Sequence, residues 1–165
     1  MENIIVQTTE LKLDKIDLKI LKLMQENGKI SNLQLSGEIG LSPAPTLERV
    51  KKLEIANIIK SYHASVNEAV LGLGVKAFIQ ISLVRQIDNV MSKFDEHINE
   101  IDEIVECFQV TGNFDYMLKV FVKDIPAFEK LIGEKLSKVE EIRKMQTMVI
   151  LSQTKNSKVL PADYS

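Results

Sequence analysis

The sequence predicts an α+β fold in two parts, an N-terminal winged helix-turn-helix followed by a ferredoxin-like βαββαβ domain. Before residue 57, apolar residues recur at helical spacing in three short segments, and a β-segment follows them. From Val75 onward, strand and helix patterns follow in the order βαββαβ. We therefore assign residues 1–66 to the first domain, the glycine-containing stretch 67–74 to a linker, and 75–165 to the second domain with a C-terminal tail.

Local signals define the first two helices. Residues 14–26 repeat apolar side chains at helical spacing, with Asp14 as the N-cap and an Asn-Gly pair as the stop. Ser31 caps a second helix, which ends at Gly40 because glycine adopts the left-handed conformation of a helix terminus at little cost.

The third helix begins abruptly. Ser42 is its predicted N-cap, and Pro43 takes the first helical position, where a missing amide N–H costs nothing. The residues predicted to face a core are Leu47, Val50 and Leu53. Asn57 can adopt the left-handed backbone that ends the helix, and residues 58–66 are predicted to form a strand or hairpin, the wing.

The second domain shows four strand patterns and two helix patterns. The strands have the sequences VKAFIQISLV, EIVECFQVTG, FDYMLKVFV and EIRKMQTMVILSQ, and the helices NVMSKFDEHINEI and DIPAFEKLIGEKLSKV. A turn at residues 111–113 joins the second and third strands. This order of elements is the split βαβ arrangement.

A third helix of this kind is typical of double-stranded DNA binding, because its N-terminal side chains enter the major groove. The predicted contacts on and around it are Ser42, Pro43, Ala44, Pro45, Thr46, Arg49 and Lys52, with Lys60 on the following β-segment. Ser31, Asn32 and Gln34 could bind phosphate at the start of the second helix. The alternative is that these residues only cap helices and that the lysines only solvate a helix face.

The charge balance indicates that one copy binds DNA weakly. The net charge is −2, and residues 1–66 carry 9 Lys/Arg against 8 Asp/Glu. Phosphate contacts supply most of the affinity for DNA, so a domain with so few cations needs several linked copies. We therefore expect at least a dimer.

Other function classes find little support. Cys107 is the single cysteine, and the two histidines are far apart in sequence, with no metal spacing, catalytic arrangement or glycine-rich phosphate loop around them. We expect no enzyme activity, no metal and no cofactor. The sequence shows no signal peptide and no membrane span, which predicts a cytoplasmic protein.

Two segments carry a family resemblance. KISNLQLSGEIGLSPAPTLERVKKLE (29–54) and ECFQVTGNFDYMLKVFV (106–122) resemble the Lrp/AsnC, or feast/famine, transcription regulators, and the likeness runs from about Leu13 to Leu151. The resemblance implies an N-terminal DNA-binding domain and a C-terminal RAM domain that dimerises, assembles to an octamer or larger, and senses a free amino acid.

The resemblance also implies an effector site at the turn TGNFDYM, whereas the residues alone favour an ordinary hairpin. In the family this loop lines a pocket between dimers. Carried over, Asp115 would bind the effector's ammonium, and amides near Gly112 its carboxylate. The other implied residues are Gln109, Asn113, Phe114, Tyr116, Ile125, Gln146, Thr147 and Met148. The apolar wall formed by two of them, Ile125 and Met148, suits a leucine- or methionine-like effector.

The function predicted is therefore a sequence-specific DNA-binding transcription regulator whose assembly and DNA binding respond to a small amino acid. The alternative is a ferredoxin-like small-molecule-binding module whose N-terminal helices only pack oligomers, because ferredoxin-like sheets host many functions.

Overall fold

The computed structural model describes residues 12–163 and separates into two compact units. The N-terminal unit comprises residues 12–65 together with 155–163, and the C-terminal unit comprises 66–154. Among the described residues, no helix has both the length and the apolar character that a membrane crossing requires.

Three helices build the N-terminal unit, and their boundaries agree with the local signals. They are α1 (Lys15–Glu26), α2 (Asn32–Ile39) and α3 (Pro43–Ile55). Asp14 caps α1 by accepting the Asp17 N–H at 2.8 Å, and the Asp17 side chain accepts the Asp14 N–H at 3.2 Å. The predicted left-handed residues also form, since φ is 72° at Gly40 and 55° at Asn57.

The core of this unit corrects the predicted stripe on α3. Ile20, Leu35, Val50 and Leu53 form the buried centre. The stripe of α3 runs through Thr46, Val50 and Leu53, so Leu47 is 42% exposed and Thr46 is fully buried. The spacing i, i+4, i+7 keeps side chains on one helix face better than i, i+3, i+6 does, which is why the stripe lies one residue earlier than expected.

The predicted strand or hairpin at 58–66 does not form. All four strands found within residues 12–163 belong to the sheet of the C-terminal unit, and residues 60–66 have no regular secondary structure. A β-segment is stabilised by ladder hydrogen bonds to a neighbour, and no strand of the described chain pairs with this one. Residues 58–66 are rich in residue types that favour strands, which is why a strand was predicted there. The described chain offers no neighbouring strand for these residues to pair with.

The expected linker is an ordered part of the C-terminal unit. Residues 67–72 form a hydrogen-bonded turn, and the Gly74 N–H donates to the Lys123 carbonyl at 3.1 Å. A Cβ at Gly74 would lie 2.8 Å from that carbonyl oxygen, so only glycine fits without a shift.

The C-terminal unit has the predicted βαββαβ order. Its elements are β1 (Val75–Leu83), α4 (Asp88–Asn99), β2 (Ile104–Gln109), β3 (Tyr116–Val122), α5 (Ile125–Lys130) and β4 (Ile142–Val149). A short π-helix (Leu131–Lys135) and a short 3₁₀ helix (Leu136–Lys138) continue α5. All neighbouring strands are antiparallel in the order β2-β3-β1-β4, as a ferredoxin-like sheet requires.

The two faces of this sheet differ. On one face, alternate residues of β1 and β3 pack with α4 and α5 in a core that includes Ile79, Leu118 and the fully buried Phe94. The opposite face, here called the open face, also carries large apolar side chains. They are Phe78, Phe108, Met117, Phe121 and Met148. Two of these, Phe108 (48%) and Met148 (37%), are exposed in the single chain, and the other three are half-buried.

The C-terminal residues group differently from the predicted boundary. Residues 155–163 belong to the N-terminal unit, where the Leu160 N–H donates to Gln25 Oε1 at 2.9 Å. The assignment of the tail to the second domain followed chain order. The β4 ladder, however, ends near Ile150, whose N–H donates to Lys76, and it does not hold the tail.

Candidate functional sites

The start of α3 is positioned by α2. Asn32 Nδ2 donates to the Pro43 carbonyl at 2.7 Å, and the Leu41 N–H donates to the Ser36 carbonyl at 3.0 Å. The Ser31 hydroxyl accepts the Gln34 N–H at 3.2 Å in a capping box. Capping is thus a role that the structure gives to Ser31 and Gln34, and Asn32 fixes the entry of α3.

The first turn of α3 is open to solvent. Ser42, Pro43, Ala44 and Pro45 are all exposed, and the Ser42 side chain makes no capping hydrogen bond. Two prolines within this turn restrict the backbone where no intrahelical donor is needed. The result is a rigid, uncharged tip that can enter a groove.

Thr46 is a correction to the predicted contacts. Its side chain is fully buried, and its hydroxyl donates to the Ser42 carbonyl at 2.9 Å. A hydroxyl that is buried and already bonded within its own helix cannot reach a base edge. Thr46 therefore stabilises the first turn from the inside.

Arg49 is a second correction. Its Nη1 lies 2.7 Å from Asp14 Oδ2 and 2.7 Å from Asp17 Oδ1, which ties α3 to the N-terminus of α1. The hydrogen bonds that Arg49 donates to Asp14 and Asp17 raise the pKa of Arg49 above its ordinary value. The pKa of Asp14 is lowered, first by the Asp17 backbone N–H and then by Arg49. The charge of Arg49 is thus paired with carboxylates inside the domain.

The cations left for phosphate are lysines. Lys51, Lys52 and Lys60 are exposed, and Lys51 is only 3.9 Å from Glu48 in a weak surface pair. Lys51 was not among the predicted contacts, although it precedes Lys52 on the exposed part of α3. Its position next to a predicted phosphate contact was the signal that could have identified it.

The C-terminal unit contains a cavity of about 240 Å³ beside the predicted effector turn. Three predicted residues line it, namely Gln109, Asp115 and Tyr116. Four lining residues were not predicted, namely Leu83, Gln86, Met91 and Val110. Because Ile81 pairs with Tyr116, the end of β1 must lie beside the turn, and the ferredoxin-like strand order could have identified Leu83.

Asp115 is the one formally charged residue among those that line the cavity. Its main chain is fixed on both sides, because its N–H donates to the Ile81 carbonyl at 2.8 Å and its carbonyl accepts the Val110 N–H at 2.9 Å. Its Oδ2 accepts the Leu83 N–H at 2.7 Å, and its Oδ1 accepts a hydrogen bond from Gln86 Nε2. The cavity thus combines one carboxylate with other polar side chains and three apolar ones, Leu83, Met91 and Val110, an arrangement that suits a small ligand with both charged and apolar groups.

The remaining residues of the turn shape it. Tyr116 is buried and its ring lies 4.6 Å from that of Phe94, and burial raises the pKa of its phenol. Gly112 has φ 118°, which favours glycine, and Lys144 lies over the Phe114 ring at 5.5 Å. Asn113 is exposed beside Gly112. These residues form the hairpin that presents Asp115 to the cavity.

Seven predicted effector residues do not line this cavity within one chain. Three of them, Gly112, Asn113 and Phe114, belong to the adjacent turn, and the other four lie on other elements. Gln146 and Met148 lie on the open face, opposite Gln80 and Phe78 of β1. Thr147 is on the edge strand β4, and Ile125 begins α5 beyond the far end of β3. Six residue steps separate Tyr116 from Val122 along β3, roughly 20 Å at the rise of an extended strand.

Within residues 12–163, no three His, Cys, Asp or Glu side chains are arranged to hold a metal ion.

Comparisons with known proteins cover both units. Residues 13–60 match the family described as winged helix-turn-helix DNA-binding, and residues 76–160 match the Lrp/AsnC ligand binding domain. The leucine-responsive regulatory protein of Haemophilus influenzae is 41% identical over 148 residues, covering 90% of this chain and 89% of the relative. Its namesake in Escherichia coli is 40% identical over 145 residues, covering 88% of each chain.

A solved structure is similarly close. The crystal structure of a transcriptional regulator from Neisseria meningitidis in complex with L-Met superposes with a TM-score of 0.88 at 35% identity. The match covers 92% of this chain and 98% of that one.

Proposed function

Because this chain belongs to the Lrp/AsnC family of transcription regulators, we propose that several copies of it bind DNA together. When a leucine- or methionine-like amino acid binds, the assembly releases the DNA or rearranges on it. It is a DNA-binding transcription regulator with a ligand-responsive C-terminal domain. The observation that carries the proposal is the presence, in one chain, of an exposed α3 tip and a separate cavity whose one charged lining residue is Asp115.

On the DNA side, the exposed tip of α3 enters the major groove. Ser42, Ala44 and Pro45 supply small polar and apolar contacts to base edges, with Pro43 holding the turn. The lysines Lys51, Lys52 and Lys60 meet phosphates, as do Ser31, Asn32 and Gln34 at the start of α2. Thr46 and Arg49 are left out of the contact set because both are engaged inside the domain.

On the assembly side, the open face of the sheet supports association with a second copy. Its exposed apolar side chains would leave water on pairing, and burial of apolar area is the main driving force of association. A dimer doubles the phosphate contacts of one chain, and an octamer or larger assembly multiplies them further.

On the effector side, Asp115 binds the ammonium and the amides near Gly112 bind the carboxylate of a free amino acid. Leu83, Met91 and Val110 offer an apolar wall to its side chain. A relative is named for leucine and a neighbouring structure contains L-Met, which supports an effector of that size. A second copy supplies Ile125, Gln146, Thr147 and Met148 to complete the site. The proposal involves no catalytic step and no cofactor, and it assigns the protein to the cytoplasm.

Gel-shift titration with a randomised duplex pool tests the proposed DNA binding. It is done at about 50 mM salt, because low salt strengthens phosphate contacts. The double variant Lys51→Glu/Lys52→Glu should lose the shift while sedimentation shows an unchanged assembly. The matched control Lys93→Glu changes an exposed lysine of α4 and should bind normally. The absence of any shift by the wild type at low salt would refute DNA binding. A changed assembly size in the double variant would favour an oligomer-packing role for the helices instead.

A further inference from the structure

The segment that joins β1 to α4, residues 84–87, reaches back to the carboxylate of Asp115. Gln86 Nε2 donates to Asp115 Oδ1, and the two residues are 29 positions apart in sequence. Gln86 also lines the cavity and is exposed to solvent. A flexible neutral side chain therefore occupies one oxygen of the carboxylate that faces the cavity.

The two oxygens of Asp115 are held in different ways. Oδ2 accepts the backbone N–H of Leu83, which is itself 4% exposed at the end of β1. That donor cannot leave without disturbing the strand. The Gln86 amide, in contrast, is at the end of an exposed side chain and can rotate into water with its hydrogen bonds replaced.

An incoming ammonium competes with that amide for Oδ1. A neutral amide that donates to a carboxylate already makes a charge-assisted hydrogen bond, and an ammonium in its place adds the attraction between opposite charges. No second formal charge is found among the residues that line the cavity. The lining residues thus offer a cation no other carboxylate. A carboxylate oxygen has two lone pairs, so an ammonium displaces Gln86 when it approaches Oδ1 along the lone pair that the amide occupies.

We propose that Gln86 is a latch, a positioning residue that occupies Asp115 Oδ1 in the empty protein and is displaced by the ammonium of the effector. This inference rests on the proposed function, since it assumes an amino-acid effector at Asp115. The latch keeps the carboxylate oriented and hydrogen-bonded while the cavity is empty. It also weakens effector binding, because the ammonium must break the Gln86–Asp115 hydrogen bond to take its place.

If Gln86 is a latch, its removal should strengthen effector binding, whereas the removal of a residue that contacts the effector should weaken it. Removal of the amide by Gln86→Ala should tighten effector binding, because Oδ1 then needs no release from the protein. The expected gain is about threefold to tenfold in the dissociation constant, the net strength of one hydrogen bond. The gain should depend on the ammonium, since a ligand without one does not compete for Oδ1.

Calorimetric titration of the full-length chain with L-leucine and with L-methionine measures the gain. The ammonium dependence is measured by NMR titration with 4-methylpentanoate, which is leucine without its amino group. The matched control is Arg85→Ala, a change in the same exposed segment at a residue that does not line the cavity. In the wild type, the side-chain amide signal of Gln86, assigned by its loss in Gln86→Ala, should shift on leucine addition toward that of a solvated amide.

The expected result is tighter binding of leucine or methionine by Gln86→Ala, no change in Arg85→Ala, and equal or undetectable binding of 4-methylpentanoate by wild type and variant. Weaker or unchanged amino-acid binding in Gln86→Ala would overturn the latch while leaving the effector site intact. An equal gain for 4-methylpentanoate would overturn it too, since the effect would not involve the ammonium. If the wild type binds neither amino acid, the effector assignment itself fails and the latch fails with it.

Discussion

Arg49 in the N-terminal unit and Asp115 in the C-terminal unit carry charges that the sequence assigned to ligands, yet their surroundings differ. Arg49 is held by two carboxylates, one of which, Asp17, is buried. Asp115 is held by two neutral donors and lines a cavity. A charge whose partners are opposite charges is already neutralised, whereas a charge with neutral partners can still gain from an ionic ligand. The comparison shows that a charged side chain is available to a ligand only if the ligand interacts with it more strongly than its partners within the protein do.

The largest expected effect is the loss of stability when the ion pair of α3 is broken. Arg49→Ala leaves the buried carboxylate of Asp17 without its cation, and breaking such a pair costs several kcal/mol. Because the Arg49 side chain is 30% exposed, we expect about 2–4 kcal/mol less stability for the N-terminal unit. Denaturant unfolding followed by circular dichroism measures the change.

The exposed Lys52→Ala provides the control and should change stability by less than about 0.5 kcal/mol while reducing the salt dependence of DNA binding by about one phosphate contact. If Arg49→Ala kept its stability and lost only DNA affinity, Arg49 would be a DNA contact and the comparison with Asp115 would fail.

The second prediction concerns Asp115, the charge that remains available to a ligand. Asp115→Asn keeps an oxygen that can accept the Leu83 N–H but removes the charge that pairs with an ammonium. We expect leucine or methionine to bind about 10- to 100-fold more weakly, the strength of a hydrogen bond to a charged group. Calorimetry gives the dissociation constants. Asp102→Asn, an exposed substitution in the same unit, should leave them unchanged. Equal affinity of wild type and Asp115→Asn would remove the carboxylate from the site.

The smallest effect is a pH dependence at Asp14. Its pKa is lowered in the folded chain, chiefly by the Asp17 backbone N–H, so the folded state binds the proton less readily than the unfolded state does. The stabilisation is therefore present above the ordinary carboxyl pKa of 3.8 and is lost as the pH falls through the lowered folded value.

Asp14→Asn retains a capping side chain and removes only the charge, so the expected loss at neutral pH is below about 1 kcal/mol. Unfolding curves of the two proteins should converge as the pH falls below the folded pKa of Asp14. A difference that persisted undiminished in acid would show that the carboxylate charge is not the cause.

Much of the fold could be predicted because its signals are local. The N-caps Asp14 and Ser31, the terminators Gly40 and Asn57, and the order of six elements after Val75 each depend on residues within a few positions of one another. The strand or hairpin predicted at 58–66 does not form within the described chain, because β-propensity does not supply the neighbouring strand that the ladder needs.

The candidate sites were predicted less completely, and the reason is visible in particular residues. Asp115, Gln109 and Tyr116 were implied by the family resemblance, which matches one continuous segment of the sequence. Gln86 was missed, since its contact with Asp115 spans 29 positions. Thr46 was placed on the wrong face of α3 because Leu47 is the more apolar neighbour, yet the helix turns Thr46 inward and satisfies its hydroxyl locally.

The sequence by itself determined where helices start and end and where strands alternate, because those properties are encoded in short-range hydrogen bonding and periodicity. The combination of a DNA-binding and a ligand-binding domain was implied by its family resemblance. The tertiary structure alone decided which charges remain free. It joined Arg49 to Asp14 across 35 positions and Asp115 to Gln86 across 29. Electrostatic partners are chosen by distance in space, and only the folded chain sets that distance.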